Sequence, residues 1–315
     1  MNAPKIQPKP KASPIRPPDD RKPVLDLPAI LLITGCCMIW GYQQIAIQAI
    51  ADEVPFLMQL TIRSIIASAC IWLWMKFKKI KPFQRDRTWM PGILAGLLFF
   101  AEFVLLYSAL EYTNTSRAIT FLYLAPFIVA LVLPIFIPAE RINWMQASGL
   151  LIAFSGLAFA FQDGFSRDAT HFLIGDLAVI GAAMAWAFTT IVVRTTALGQ
   201  IQPERTLFFQ LSVSSIALIG LCFLLEVPLP SNLSAKAIAA LFLQSVIIAA
   251  ASYLFWFWLL RHYLATKVSA FSFLTPMFGL LFGFFLAGDP IDGTLIAAFI
   301  SIAIGIYLVN RRQRI

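Results

Sequence analysis

Two ionisable side chains stand inside long apolar runs, and these are where chemistry could occur. Arg63 lies about eight residues into an apolar stretch at 55–76, and Glu102 sits in the middle of another at 90–110. A charge at the centre of a bilayer costs about 2.5–3.5 kcal/mol or more, so such groups face a partner or a wet cavity. Two readings of Arg63 stay open. Its long stem can snorkel the guanidinium to the interface, or the charge can hold a substrate carboxylate, with Gln59 one turn before it on the same face. Glu102 also has two: a structural pair with Arg63, or a carboxylate that carries a proton.

Uncharged groups suggest a solute site. Trp40, Gln44 and Gln48 are spaced by four and share a helix face. Trp186 follows Trp40 by 146 residues and Gln210 follows Arg63 by 147. Gln244 lies in the eighth apolar run, and Tyr123 lies three residues before Pro126. Aromatics with a few amides suit a neutral, partly apolar solute. The same residues equally serve as interfacial anchors and as glue between helices. Pro126 closes the stretch RAITFLYLAP at 117–126, and Pro276 closes its echo KVSAFSFLTP at 267–276. Each proline frees the carbonyl four residues earlier, Leu122 or Ser272. A free carbonyl in a membrane is tolerated only against protein or a wet cavity. This predicts a midplane cavity beside both kinks; the plain alternative is a structural kink without a ligand.

Other chemistries find no support. The four cysteines, Cys36, Cys37, Cys70 and Cys222, all fall inside apolar runs and read as packing residues. The two histidines, His171 and His262, lie at helix ends, and no spacing suits a metal. No cofactor is expected. No GxxxxGK loop is present to bind a nucleotide. No His, Asp or Ser cluster shares a depth in catalytic spacing.

The elements that must position these residues are membrane helices. Of 315 residues, 59% are hydrophobic and 13% charged, against about half and a quarter in a soluble domain, and the mean hydropathy is +0.79. Ten apolar segments fall at 27–50, 55–76, 90–110, 118–137, 143–162, 172–194, 206–226, 236–260, 268–287 and 293–310. Before them, residues 1–26 hold seven prolines and six bases and read as a disordered basic tail near anionic lipid. With the N-terminus inside, the inner segments carry 20 Lys and Arg and the outer loops three. That asymmetry predicts a multi-pass protein of the cell membrane, the inner membrane in a bacterium, with both termini cytoplasmic. The net charge of +8 therefore belongs to loops and tails, and no nucleic-acid surface is implied.

The chain also repeats itself. MIWG at 38–41 is echoed by MAWA at 184–187, and Glu140, Gly149 and Gly156 stand 149 residues ahead of Asp289, Ala298 and Gly305. Two copies of one unit, at 27–162 and 172–310, account for this. Each copy has five helices, an odd number, so the second enters the membrane upside down. The fold expected is all-α and integral to the membrane, with ten transmembrane helices in two inverted five-helix repeats. Inverted repeats are a feature of secondary transporters that open one central site to each side in turn.

These stretches resemble a known family. PFLMQLTIR at 55–63, YSALEYTNTSRAITFLYLAPF at 107–127 and PAERINWMQASGLLIAFSG at 138–156 are similar to the ten-helix EamA-type members of the drug/metabolite transporter superfamily. So are AWAFTTIVVR, FLTPMFG and GDPIDGTLIAAFISIAIG in the second half. The resemblance implies export of small metabolites, often amino acids, through a cavity between the halves. Its partners would be a small solute, membrane lipid and, in one reading, protons. A multidrug exporter is the alternative within the class, and an integral membrane lipid-modifying enzyme is the alternative outside it.

Overall fold

The computed structural model describes residues 21–84, 86–109, 111–165, 172–287 and 293–311, apart from the side chains of Gln44, Ala287 and Leu295. Among them every regular element is a helix. Five run unbroken, through the first three segments and the sixth and seventh. They are α1 (Leu27–Gln48), α2 (Phe56–Phe77) and α3 (Trp89–Ala109) in the first half, and α7 (Leu173–Thr195) and α8 (Pro203–Leu224) in the second. The fourth segment is split into α4 (Thr115–Leu122) and α5 (Ala125–Phe136), and the fifth is α6 (Trp144–Ala160). The eighth joins α9 (Ala235–Phe242) to α10 (Tyr253–His262) through a π-helical stretch, Leu243–Ser252. The ninth is split into α11 (Ala265–Phe271) and α12 (Leu274–Phe282), and the tenth is α13 (Gly293–Asn310). Ten segments are thus present, each within about three residues of its expected ends.

Local chemistry sets the helix starts. The first N–H groups of a helix need acceptors. Asp26 supplies one to Ala29 at 3.2 Å, Asn114 one to Arg117 at 2.9 Å and Ser234 one to Ala237 at 3.1 Å. Asn143 and Gln146 form a reciprocal capping box at the start of α6. Inside the helices the apolar residues run all the way round, which suits a span with lipid on one side and protein on the other. Leu131, Ile135, Ile216 and Phe223 are accordingly exposed. Among the described residues eight helices are long and apolar enough to cross a membrane, and Trp144–Ala160 and Ile296–Asn310 are shorter apolar helices.

The halves are interleaved rather than side by side. The dominant contacts are α6 with α13, α3 with α7, α2 with α8, α3 with α8 and α1 with α12. Every one of these joins a helix of the first half to one of the second. Exchanging the halves maps α2 with α8 and α6 with α13 onto themselves. Lipid tails are as apolar as leucine, so such contacts hold by close packing rather than by the hydrophobic effect. At Gly149 an added Cβ would lie 2.7 Å from the Gly305 carbonyl and 2.7 Å from Leu308 Cβ. At Gly96 it would lie 2.5 Å from Val213 Cβ.

The two proline breaks fall at equivalent places, residues 123–124 and 272–273, and both Pro126 and Pro276 are buried. Their consequences differ from the expectation in one respect. The Ser272 carbonyl is not left free, because the Thr275 N–H donates to it at 2.9 Å. A tightened turn has absorbed the missing bond.

Gly149→Leu should force α6 from α13 and cost about 1–3 kcal/mol. It is expected to lower the melting temperature in detergent. Gly35→Ala, where nothing lies within 4 Å of the new Cβ, should leave it unchanged or slightly raised.

Candidate functional site

A cavity of about 190 Å³ lies between the halves. Its walls come from α1, α3, α4, α7, α8, α10 and α12. The aromatic part is locked by its own contacts. Trp40 meets Trp256 edge-on at 5.6 Å and Tyr253 at 5.9 Å, and its indole N–H donates to Ser252 Oγ at 2.7 Å. Tyr123, in the first helix break, meets Trp186 edge-on at 5.7 Å. Edge-to-face rings of this kind hold one another's rotamers, so this wall is preformed.

The polar part holds a carboxylate and an unsatisfied amide oxygen. Glu102 lines the cavity, and none of the ion pairs among the described residues involves it. Gln210 also lines it, and its Oε1 is buried without a hydrogen-bond partner. Buried polar atoms are nearly always paired, so an unpaired one marks a place for water or ligand.

The sequence candidates separate into two groups. Trp40, Glu102, Tyr123, Trp186 and Gln210 come together around the cavity. Gln59 and Gln244 do not. Gln59 donates to the carbonyls of Ile47 and Val54 and accepts from Gln244 Nε2 at 3.0 Å, so this pair ties helices together. Arg63 is 1% exposed, neither snorkelling to an interface nor reaching the cavity wall. Its guanidinium lies 4.5 Å from the centre of the Phe103 ring, and Nε and Nη2 have no partner. Phe103 itself lines the cavity, so it screens the cation from the space. The Gln44 side chain lies outside the described residues. Its neighbour Gln43 lines the cavity in company with Trp40 and Ile47, at spacings of three and four that mark one helix face as well as a spacing of four does. Sequence reasoning missed Tyr253 and Trp256, although both follow closely on Ser252, the echo of Glu102.

Ion pairs stand at the two ends of the bundle. At the end where α4 and α7 begin, Arg117 pairs with Asp176, and Thr113 Oγ1 donates to Asp176 Oδ1 at 2.8 Å. At the other end Tyr263, which follows Thr113 by 150 residues, donates to Asp26 Oδ1 at 2.9 Å. Glu140 pairs with Arg194 at that same end, and both side chains are almost fully buried. Glu140 also accepts from the Ala265 N–H at 3.0 Å, the Thr266 N–H at 3.1 Å and the Thr266 hydroxyl at 3.0 Å. One carboxylate thereby caps α11 and joins it to the ends of α5 and α7. The cavity runs from the middle of the bundle toward Ile47, Tyr107 and Thr115, at the Arg117 end. None of its lining residues belongs to the Glu140 network. Among the described residues no group of three or more His, Cys, Asp or Glu could hold a metal ion.

Removing one partner of a buried pair costs about 3–5 kcal/mol, because the other charge is left uncompensated. Arg194→Gln should therefore lower the melting temperature strongly. The double variant Glu140→Gln/Arg194→Gln should recover part of the loss, and thermal unfolding of all four proteins in detergent measures the coupling.

Comparison with known proteins agrees with this architecture. The sequence profile described as the EamA-like transporter family matches residues 27–162 and 173–311. YoaV of Bacillus subtilis (strain 168), named an uncharacterized transporter, is 21% identical over 89% of this chain and 95% of its own length. YvbV of the same organism, also named an uncharacterized transporter, is 24% identical over 90% and 92%. A crystal structure at 20% sequence identity superposes with a TM-score of 0.77, covering 90% of this chain and 98% of that one.

Proposed function

The chain belongs to the EamA-like transporter family, and from that premise we propose that it is a secondary transporter that exports a small metabolite by alternating access. The observation that carries the reading is the cavity itself, with an aromatic wall already in place, Gln210 Oε1 unpaired within it and the Glu102 carboxylate outside every ion pair among the described residues. The wall suits an apolar side chain, and the amide and carboxylate suit a polar head, as on an amino acid. Arg63 is the group that takes the solute's carboxylate. Turning the Phe103 ring aside brings the two unpartnered guanidinium nitrogens to the cavity. Trp40, Tyr123, Trp186 and Gln210 bind and orient the solute.

The unequal ends support the cycle. In this conformation the space leads toward the Arg117 end, while the Glu140 network closes the other. The 20-to-3 distribution of bases supports cytoplasmic termini, so the open end faces out. The two five-helix repeats, 27–162 and 172–310, then exchange roles to open the site inward. Glu102 is the group that couples transport to a proton gradient, by taking a proton on one side and releasing it on the other. The density of aromatic rings also favours a second reading, a multidrug exporter with an apolar substrate. The carboxylate of Glu102 and the unpaired amide oxygen of Gln210 favour the amino acid.

Purified protein in liposomes, offered a panel of amino acids with and without a pH gradient, should accumulate at least one of them only with the gradient. Glu102→Gln should abolish that accumulation and leave counterflow exchange intact. A Glu102→Gln protein that still concentrates the solute would end the coupling role. Arg63→Gln should raise the KM for the same solute about tenfold, the loss of roughly 1.4 kcal/mol of binding. Uptake confined to apolar drugs, with no amino acid transported, would select the multidrug reading.

A further inference from the structure

The segment that precedes α1 is bonded across the closed end of the bundle. Arg21 Nε donates to the Arg261 carbonyl at 2.9 Å, at the end of α10, and Arg21 Nη2 donates to the Gly199 carbonyl at 3.1 Å, in the link from α7 to α8. The Lys22 N–H donates to the His262 carbonyl at 2.9 Å, and Lys22 forms an isolated parallel bridge with Tyr263. The Leu25 N–H donates to Asn310 Oδ1 at 3.1 Å, at the end of α13. Asp26 accepts from the Tyr263 hydroxyl at 2.9 Å. Within six residues the chain thus holds three separate pieces of the second half. Counted along the segments, Gly199, Arg261 and Asn310 all lie at the same end as Glu140.

Arg21 also connects this segment with the Glu140 network. It is part-buried and near enough to Glu140 to interact electrostatically with it. Glu140 joins α5 to α7 and α11, and these same elements must part if the cavity is to open at this end. The bonds of residues 21–26 span the ends of α7, α10 and α13, so they resist the same separation.

We propose that residues 21–26 form a strap that holds the Glu140 end closed, and that its release precedes opening of the cavity at that end. The strap rests on the alternating-access reading given above, but it acts on the shape of the bundle and can be tested without a substrate. Its bonds are few and part-buried, and they join a non-helical segment to helix ends, so they can break without unfolding any helix. Hydrogen bonds of this kind are modest in net strength, which suits a contact that must break in every cycle.

The test is a distance measurement in liposomes on the full-length chain with its native cysteines replaced by alanine. Spin labels are placed by Trp144→Cys, beside the Glu140 link, and Gln200→Cys, in the α7–α8 link. Both positions are exposed. Deletion of residues 1–24 should raise the ratio of separated to joined conformers about tenfold. Deletion of residues 1–20, which leaves the strap, should give the distances of the full chain. Arg21→Ala, which keeps the chain and removes two of the bonds, should shift the ratio in the same direction as the longer deletion and covers the case in which that deletion fails to fold. Unchanged distances in Arg21→Ala and in a folded 1–24 deletion overturn the strap. An equal shift in both deletions also overturns it, because the effect would then belong to residues 1–20. Uptake of amino acids by the unmodified protein is a separate measurement, so loss of the transport reading and loss of the strap are distinguishable.

Discussion

Hydrocarbon offers neither water to satisfy a polar group nor a strong hydrophobic force to press one helix against another. Most of what is particular to this fold follows from that pair of deficits. Backbone groups pair within their own segment, so every element among the described residues is helical. Cohesion has to come from close backbone approach, as at Gly149 against Gly305, and from a small number of buried polar contacts. The strongest of these sit at the ends of the helices. Arg117 with Asp176 holds one end, and Glu140 with Arg194 and Thr266 holds the other. The middle is left to packed aromatic rings, and there the cavity forms.

The repeat explains both the symmetry of the bundle and where it fails. Thr113 bonds Asp176 at one end, and Tyr263, which follows Thr113 by 150 residues, bonds Asp26 at the other. Both helix breaks occur at equivalent residues, and both lie within protein, where an irregular turn is tolerated. The copies diverge at two polar positions in or near the cavity. Arg63 in one half corresponds to Gln210 in the other, and Glu102 corresponds to Ser252. The charged members of these pairs lie in α2 and α3, while Gln210 and Ser252 supply neutral polar groups from α8 and the eighth segment. A duplicated scaffold thus carries an unduplicated set of charges, which suits a solute that is not itself symmetric.

Much of the fold was legible in the chain because membrane spans are written in composition. Apolar runs of about 20 residues are hard to read as anything else. The site was legible only in part. Trp40, Tyr123, Trp186, Gln210 and Glu102 do line the cavity, but Gln59 and Gln244 bond each other instead. A helix that is apolar all round carries no periodic signal of which face looks inward. Gln43 and Gln59 are therefore equally plausible from sequence, and only their neighbours distinguish them. Glu140 was harder still. In sequence it is an acid in a short link, 54 residues from Arg194 and 125 from Ala265.

Sequence alone determined the number of helices, the duplication with its inversion and the presence of a rare arginine and glutamate inside apolar runs. These are properties of composition and order along the chain, and the bilayer enforces them segment by segment. Tertiary structure alone decided which polar residues meet a cavity, which bond each other, and that Glu140 rather than a residue of the membrane interior ties helix ends together on one side. Those outcomes depend on the rotation of each helix about its axis and on contacts between the two halves. Both are set by close packing among segments far apart in sequence.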